Sequence, residues 1–341
     1  MEKKGFAFLD MLGFSNRVLS GNTEYAYNML NQVYTVLEMK DMNGKFRKYR
    51  KSQKIYQDEL IDKVNSQIEI TSFSYLQCVS DSILIASDEP DLMVQQIANI
   101  VRMCFTLNLS NNIGTLPLVM LRGGISYGEV NIINAKSSLE SKAIETPNTF
   151  GKAIVNAVKL EKYFGLKGPR VILDELIYEE LSEQTKQKYV SLLRIDESIA
   201  LGKKYYEILW PAFEFNVFNI SSNLKYNDIN GEITNLGKLL SKAYIFFDEY
   251  ENSPEKEHYN SLISLIFRSA KQIFYNLGGI QIFEEYVKKI TNTEYNKEGR
   301  YISQKIIDTC KNPNYIHEMD WNDEFRNYLS KIYNHRIKNS D

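Results

Sequence analysis

Apolar residues run unbroken from Phe6 to Leu9 and stop at Asp10. Such a run predicts a short strand buried on both faces, central in a sheet. Gly13 allows a tight turn, and a helix opens near Ser15. From Val18 through Tyr27, Leu30, Val33, Tyr34 and Leu37 apolar residues recur at helical spacing, which predicts one long amphipathic helix. Residues 40–54 form a basic, polar insertion, and 58–66 read as helix. Strands near 67–73 and 75–85 follow, with Ser80-Asp81-Ser82 in a hairpin turn. Pro90 opens a helix that turns Leu92, Val94, Ile97, Ile100, Val101 and Cys104 inward. A polar connection at 107–114 leads to a strand at 116–125, with a second strand at 127–133 returning beside it. The order is β-α-β-β-α-β, the split layout of ferredoxin-like folds. Residues 134–149, rich in Ser, Lys and Glu, predict a mobile flap. A helix at 151–164, a strand at 171–173, a helix at 175–182 and a last strand at 205–210 complete this part. Past Pro211 the strand signals fade, and 236–250, 258–277, 279–290, 301–311 and 323–336 all show helical periodicity. The expected class is α+β, an antiparallel sheet with helices over residues 1–210 and an all-helical extension over 211–341.

Composition narrows the functions. A net charge of -2 lacks the clustered basic excess that bulk nucleic-acid binding needs. No apolar run approaches a membrane span, and Met1-Glu2-Lys3-Lys4 leads straight into a strand with no signal-peptide pattern. Cys78, Cys104 and Cys310 are widely spaced, which fits free thiols in a reducing cytoplasm. The three histidines, His258, His317 and His335, all come late, so neither a zinc site nor a histidine triad is expected. If the chain is an enzyme, its chemistry runs on carboxylates and metal.

Three stretches carry that chemistry. Asp10 closes a buried strand, where an acid is costly unless something positive offsets it. Asp81 is presented by a hairpin turn, and two carboxylates on adjacent strand ends suit a pair of Mg²⁺ or Mn²⁺ ions about 4 Å apart. Leu121-Arg122-Gly123-Gly124-Ile125 is a glycine-rich strand that another backbone or a ligand approaches closely.

Asp10-Met11-Leu12-Gly13-Phe14-Ser15 resembles the first metal motif of class III nucleotidyl cyclases. Ser80-Asp81 stands at the family's second metal acid. Arg122 to Gly128 resembles its Arg-x-Gly-Ile strand, and Phe150-Gly151 through Leu160-Glu161 its last motif. The four occur in family order over roughly residues 5 to 210. The last one departs: Val155 and Lys159 stand where the family has Asn and Arg, with Asn156 one step later. The base-reading positions hold Gln77 and Asn148, amides that donate or accept according to their flip. The opening motif, the hairpin and the Arg-Gly-Gly strand together look most like the pyrimidine cyclases of bacterial Pycsar antiphage systems.

The resemblance implies a lyase that turns UTP or CTP into a cyclic nucleotide and pyrophosphate. UTP is favoured because cyclic UMP is the commoner product among such relatives. It further implies two Mn²⁺ or Mg²⁺ ions at Asp10, Met11 and Asp81, with phosphate on the amides of Leu12, Gly13, Phe14 and Ser15. Gln77 and Asn148 lie near the base, and Arg122 and Lys159 neutralise phosphate. A homodimer with the site at its interface is implied, as is an effector downstream that responds to the product. Neither nucleic acid nor membrane is an expected partner. Other readings stay open: Arg122 as a strand arginine paired with Glu129 or Asp81, Lys159 as a solvated helix residue, the chain as a nucleotide sensor, or an adenylate or guanylate cyclase.

Overall fold

A computed structural model describes residues 2–41, 73–106, 119–139, 142–162, 167–193, 203–212 and 252–276, together with Leu236, Leu239, Leu240, Lys242, Ala243, Phe246, Phe247 and Tyr250. The elements expected at 58–66, 279–290, 301–311 and 323–336, and the basic insertion beyond Asp41, lie outside the described residues.

The first part runs β1 (Glu2–Met11), α1 (Phe14–Leu19), α2 (Thr23–Asp41), β2 (Phe73–Val79), β3 (Ser82–Ser87), α3 (Pro90–Thr106) and β4 (Leu121–Leu139). Its strands lie in the order β2-β3-β1-β4 and are antiparallel, so the chain is α+β with the ferredoxin-like arrangement. After β5 (Lys142–Phe150) and α4 (Lys152–Lys162) come β6 (Val171–Asp174), α5 (Glu175–Glu180), α6 (Glu183–Tyr189), β7 (Val190–Leu193), β8 (Tyr205–Ile208) and α7 (Lys256–Asn276). β6 joins β4 in parallel and carries β8 and then β7, while β5 pairs with β4 alone.

Burial explains the central place of β1. Ala7, Leu9 and Met11 enter the main core with Met29 and Val33 of α2 and Ile97 and Ile100 of α3. Phe6 enters a second cluster on the other side, with Tyr75, Ala86, Val130 and two alanines of α4, Ala153 and Ala157. α4 is a narrow cover, and Phe8, Leu84 and Ile132 beside it are only partly buried.

Four sequence expectations need correction. The helix expected from Val18 onward is two helices, separated at Gly21, whose φ of 79° is left-handed. The break resets the helical phase, so Ala26, Met29, Val33 and Val36 face the core while Val18, Tyr27 and Tyr34 are exposed. The strands expected at 116–125 and 127–133 are one strand, β4. The flap expected at 134–149 is the hairpin arm of β4 and β5, registered from Asn131 opposite Phe150 to Leu139 opposite Lys142. Its pairing is made by backbone groups, which a polar sequence supplies as well as an apolar one. β7 was not anticipated from the sequence.

The described part of the extension joins the same core. Leu239 and Leu240, with Leu262, Ile263 and Ile266 of α7, belong to the cluster that holds β1 and α3. Polar links reinforce the docking. Arg268 of α7 lies 2.5 Å from buried Glu207, which Arg170 also meets at 2.6 Å. The Arg17 guanidinium donates to the Tyr250 hydroxyl at 2.9 Å. Among the described residues no helix is long and apolar enough to cross a membrane.

Candidate active site

Antiparallel pairing brings the acids together. Asp10, near the end of β1, lies opposite Ser82 on β3 and Arg122 on β4. The two-residue turn between β2 and β3 is Ser80-Asp81, and Ser80 takes a left-handed φ of 56°. The Met11 N–H donates to the Asp81 carbonyl at 3.0 Å, clipping the turn to the end of β1. Hydroxyls attend both carboxyls: Ser82 Oγ lies 3.4 Å from Asp10 Oδ1 and Ser15 Oγ 3.5 Å from Asp81 Oδ2. Burial raises the Asp10 carboxyl to about 6, and the negative charges of Asp81 and Glu161 push the same way, against Arg122 and Ser82.

This pair fits a hard divalent cation. Its donors are carboxylate and hydroxyl oxygens, and the mutual repulsion of the acids is what a bound 2+ charge relieves. Among the described residues no group of three or more His, Cys, Asp or Glu side chains gathers. The remaining ligands would therefore come from backbone, water or a phosphate substrate, the usual arrangement for Mg²⁺.

Arg122 sits between two acids. Its Nη2 lies 2.6 Å from Glu161 Oε1 and 3.7 Å from Asp10 Oδ2, so its partners are these and not Glu129 or Asp81. Two glycines make this possible. A Cβ on Gly123 would collide with the Phe8 carbonyl of β1, and one on Gly124 would come within 2.5 Å of Leu160 Cβ on α4. β1 and the end of α4 therefore close on β4 from two sides, and Glu161, with a side chain 1% exposed, is carried to Arg122. Among the described residues the buried Arg122 Nε–H meets no acceptor.

The other predicted residues fall into separate places. Gly13 is left-handed at φ 78°, as the turn into α1 requires. The Leu12 amide is spent on the Met120 carbonyl at 2.9 Å, which leaves Gly13, Phe14 and Ser15 of the expected phosphate amides. Gln77 on β2 accepts a hydrogen bond from the Tyr75 hydroxyl. Asn148 on β5 is exposed, and its side-chain oxygen accepts from the Thr149 N–H at 2.9 Å. Lys159 makes no contact with Asp10 or Asp81. It lines a cavity of about 520 Å³ with Asn156, Asp174, Glu179 and Lys204. There the Ser126 hydroxyl donates to Asp174 at 2.5 Å, and burial raises the Asp174 carboxyl. Val155 and Lys159, one helical turn apart on α4, both face outward.

The structure thus gathers Asp10, Asp81, Ser15 and Arg122 at one end of the sheet. It pairs Gln77 with Tyr75 on the same strand, and it leaves Lys159 apart. Glu161 and Ser82 had no role from sequence, although both stand inside the quoted motifs. The signal that could have found Glu161 is an acid at the end of an amphipathic helix beside an Arg-Gly-Gly strand.

No family model matches this chain, and no curated protein does. Among solved structures it is similar to the dimeric guanylyl cyclase domain of the RhoGC fusion protein from the aquatic fungus Blastocladiella emersonii, at 16% identity over 61% of this chain and 97% of that one, with a TM-score of 0.39. It is also similar to an adenylate cyclase from Trypanosoma brucei, at 14% identity over 61% of this chain and 90% of that one, with a TM-score of 0.39. A bacterial light-regulated adenylyl cyclase matches at 14% identity over 60% of this chain and 51% of that one, with a TM-score of 0.41. These likenesses are too distant to assign an activity, which has to be read from the residues.

Proposed function

We propose that the chain is a nucleotidyl cyclase of the class III type, converting a nucleoside triphosphate to its 3′,5′-cyclic nucleotide and pyrophosphate. The observation that supports it most is the convergence of Asp10, Asp81 and a half-satisfied Arg122 at one sheet end. The ribose 3′-oxygen attacks the α-phosphorus, an O3′–P bond forms, and the bond to the β-phosphate oxygen breaks. The hydroxyl proton passes to water, and the electron pair of the broken bond departs with pyrophosphate. Divalent ions on Asp10, Asp81 and the Met11 backbone would supply the charge that acidifies the hydroxyl and holds the leaving group. Arg122, fixed by Glu161, offers its unspent donors to the polyphosphate.

The site is composite in this reading. Lys159 and Val155 face outward, and the partly covered sheet face with Phe8 and Leu84 is where a second copy would lie. Each copy would then bring Lys159 to its partner's acids. The pyrimidine substrate, UTP before CTP, and a signalling product with an antiphage role rest on the motif resemblance. So does the division into a catalytic unit, 1–210, and a helical extension, 211–341.

Turnover of Asp10→Asn and Asp81→Asn tests the proposal. Both variants keep the side-chain shape and lose the charge. Each is expected to lose at least 100-fold in kcat, the scale of removing a group that stabilises transition-state charge. Turnover within threefold of wild type in either variant would overturn it.

A further inference from the structure

Arg122 is held twice, by its side chain and by its backbone. Glu161 meets the guanidinium at 2.6 Å. On the other side of β4, the Arg170 carbonyl accepts from the N–H of Gly123, the next residue, at 2.8 Å. Arg170 ends a tight turn, in which its own N–H donates to the Gly168 carbonyl at 2.9 Å. That turn is gripped from α7. The Gly168 N–H donates to His258 Nδ1 at 2.9 Å, and a Cβ on Gly168 would stand 2.6 Å from Ser261 Cβ, so α7 lies directly against the backbone there. The Trp210 indole N–H donates to the Pro169 carbonyl at 2.8 Å. Arg170 and Arg268 of α7 share the buried Glu207 carboxylate. Acceptance at Nδ1 needs a neutral imidazole. Burial, Lys167 and Arg122 favour that form of His258, against Glu255 and Glu257.

We propose that His258 is a positioning residue for Arg122, setting the Gly168–Arg170 turn from α7 and through it the strand that presents the guanidinium to polyphosphate. The inference rests on the cyclase reading, in which Arg122 meets the polyphosphate. His258 touches neither substrate nor metal in that reading. It acts through two backbone bonds, from its ring to Gly168 and from the Arg170 carbonyl to Gly123. Without the first bond the turn is free to shift, and the rung beside Arg122 shifts with it. A misplacement of about 1 Å at a reacting centre can cost about 100-fold. Glu207 and Trp210 still hold the turn, so a smaller loss of about tenfold is expected. α7 follows residue 210, so the catalytic unit draws this support from beyond its own boundary.

The test uses the full-length chain with Mn²⁺. It reads Kd for inorganic tripolyphosphate by calorimetry, beside kcat/KM for the four ribonucleoside triphosphates. His258→Leu and His258→Ala both remove the acceptor, the first keeping bulk at the site. His258→Asn restores an acceptor, because its Oδ1 stands as many bonds from the backbone as Nδ1. All measurements are made below the melting temperature of each variant. The tripolyphosphate Kd should rise about tenfold in His258→Leu and His258→Ala and stay within about threefold of wild type in His258→Asn. Added to Arg122→Gln, His258→Leu should cost less than about twofold more, because the group it places is gone. A merely structural role would make the two losses multiply, which would overturn the inference. Failure of His258→Asn to restore binding would also overturn it. An unchanged Kd in both acceptor-less variants of a chain that cyclises a nucleotide would overturn it with the cyclase reading intact. The expected pattern in a chain that cyclises none would sustain the positioning and sink the cyclase reading. A wild type that neither binds tripolyphosphate nor cyclises would overturn both.

Discussion

Asp10 concentrates the chemistry in one side chain. Its carboxyl is raised from 3.8 to about 6 by burial and by two neighbouring acids. A folded-state pKa above the unfolded one means that the folded chain holds the proton more tightly. The contribution to stability is therefore full below about pH 4 and lost as pH rises through 6. Asp10→Asn removes this dependence. In chelator, the melting temperature of the variant relative to wild type should rise between pH 4 and 7, with the variant the more stable at pH 7. Mn²⁺ at pH 7 should raise the melting point of wild type and leave that of the variant nearly unchanged. A difference that does not vary with pH would contradict the burial and charge assigned to Asp10.

At the scale of elements, the Arg-Gly-Gly stretch is a spacing device. Gly124→Ala places a methyl within 2.5 Å of Leu160 Cβ, so α4 must lift from β4. Overpacking of this kind costs about 1–3 kcal/mol, to be read as a lower urea midpoint at unchanged slope. An unchanged midpoint would mean that α4 does not press on β4 as described. The sequence is most legible where burial dictates it. β1 is apolar on both sides because one face enters the main core and the other the cluster under α4, and α3 announces itself by Val94, Ile97 and Val101 at helical spacing. The same logic hides other elements. The β5 arm is polar and carries no alternation to read, β7 is four residues long, and Gly21 shifts the phase of α2 without changing its composition. Within the site, Asp10 and Asp81 were legible because acids at strand ends are unusual. The meeting of Glu161 with Arg122 depends on which elements fold over one another, which no local pattern records.

The whole molecule joins the site to its C-terminal part. α7 shares the main core and reaches the β6 edge, where the Gly168 N–H donates to His258 at 2.9 Å. Tyr250, which precedes α7, reaches α1 by accepting from Arg17, just beyond the glycine turn. In the proposed composite site, Lys159 of each copy serves the acids of the other. Asp81→Ala and Lys159→Ala should each be nearly inactive alone. In mixed dimers one of the two composite sites keeps both native residues, so the equimolar mixture should regain about a quarter of wild-type activity. No regain, with mixed dimers shown by native mass spectrometry, would place Lys159 outside the site. The most direct measurement is of the reaction itself. The chain is incubated with the four ribonucleoside triphosphates and Mn²⁺, and the products are resolved by mass spectrometry and a pyrophosphate assay. The account predicts one 3′,5′-cyclic nucleotide and pyrophosphate in equal amounts, with uridine as the nucleoside. A linear monophosphate, a diphosphate with inorganic phosphate, or four unconsumed triphosphates would contradict it.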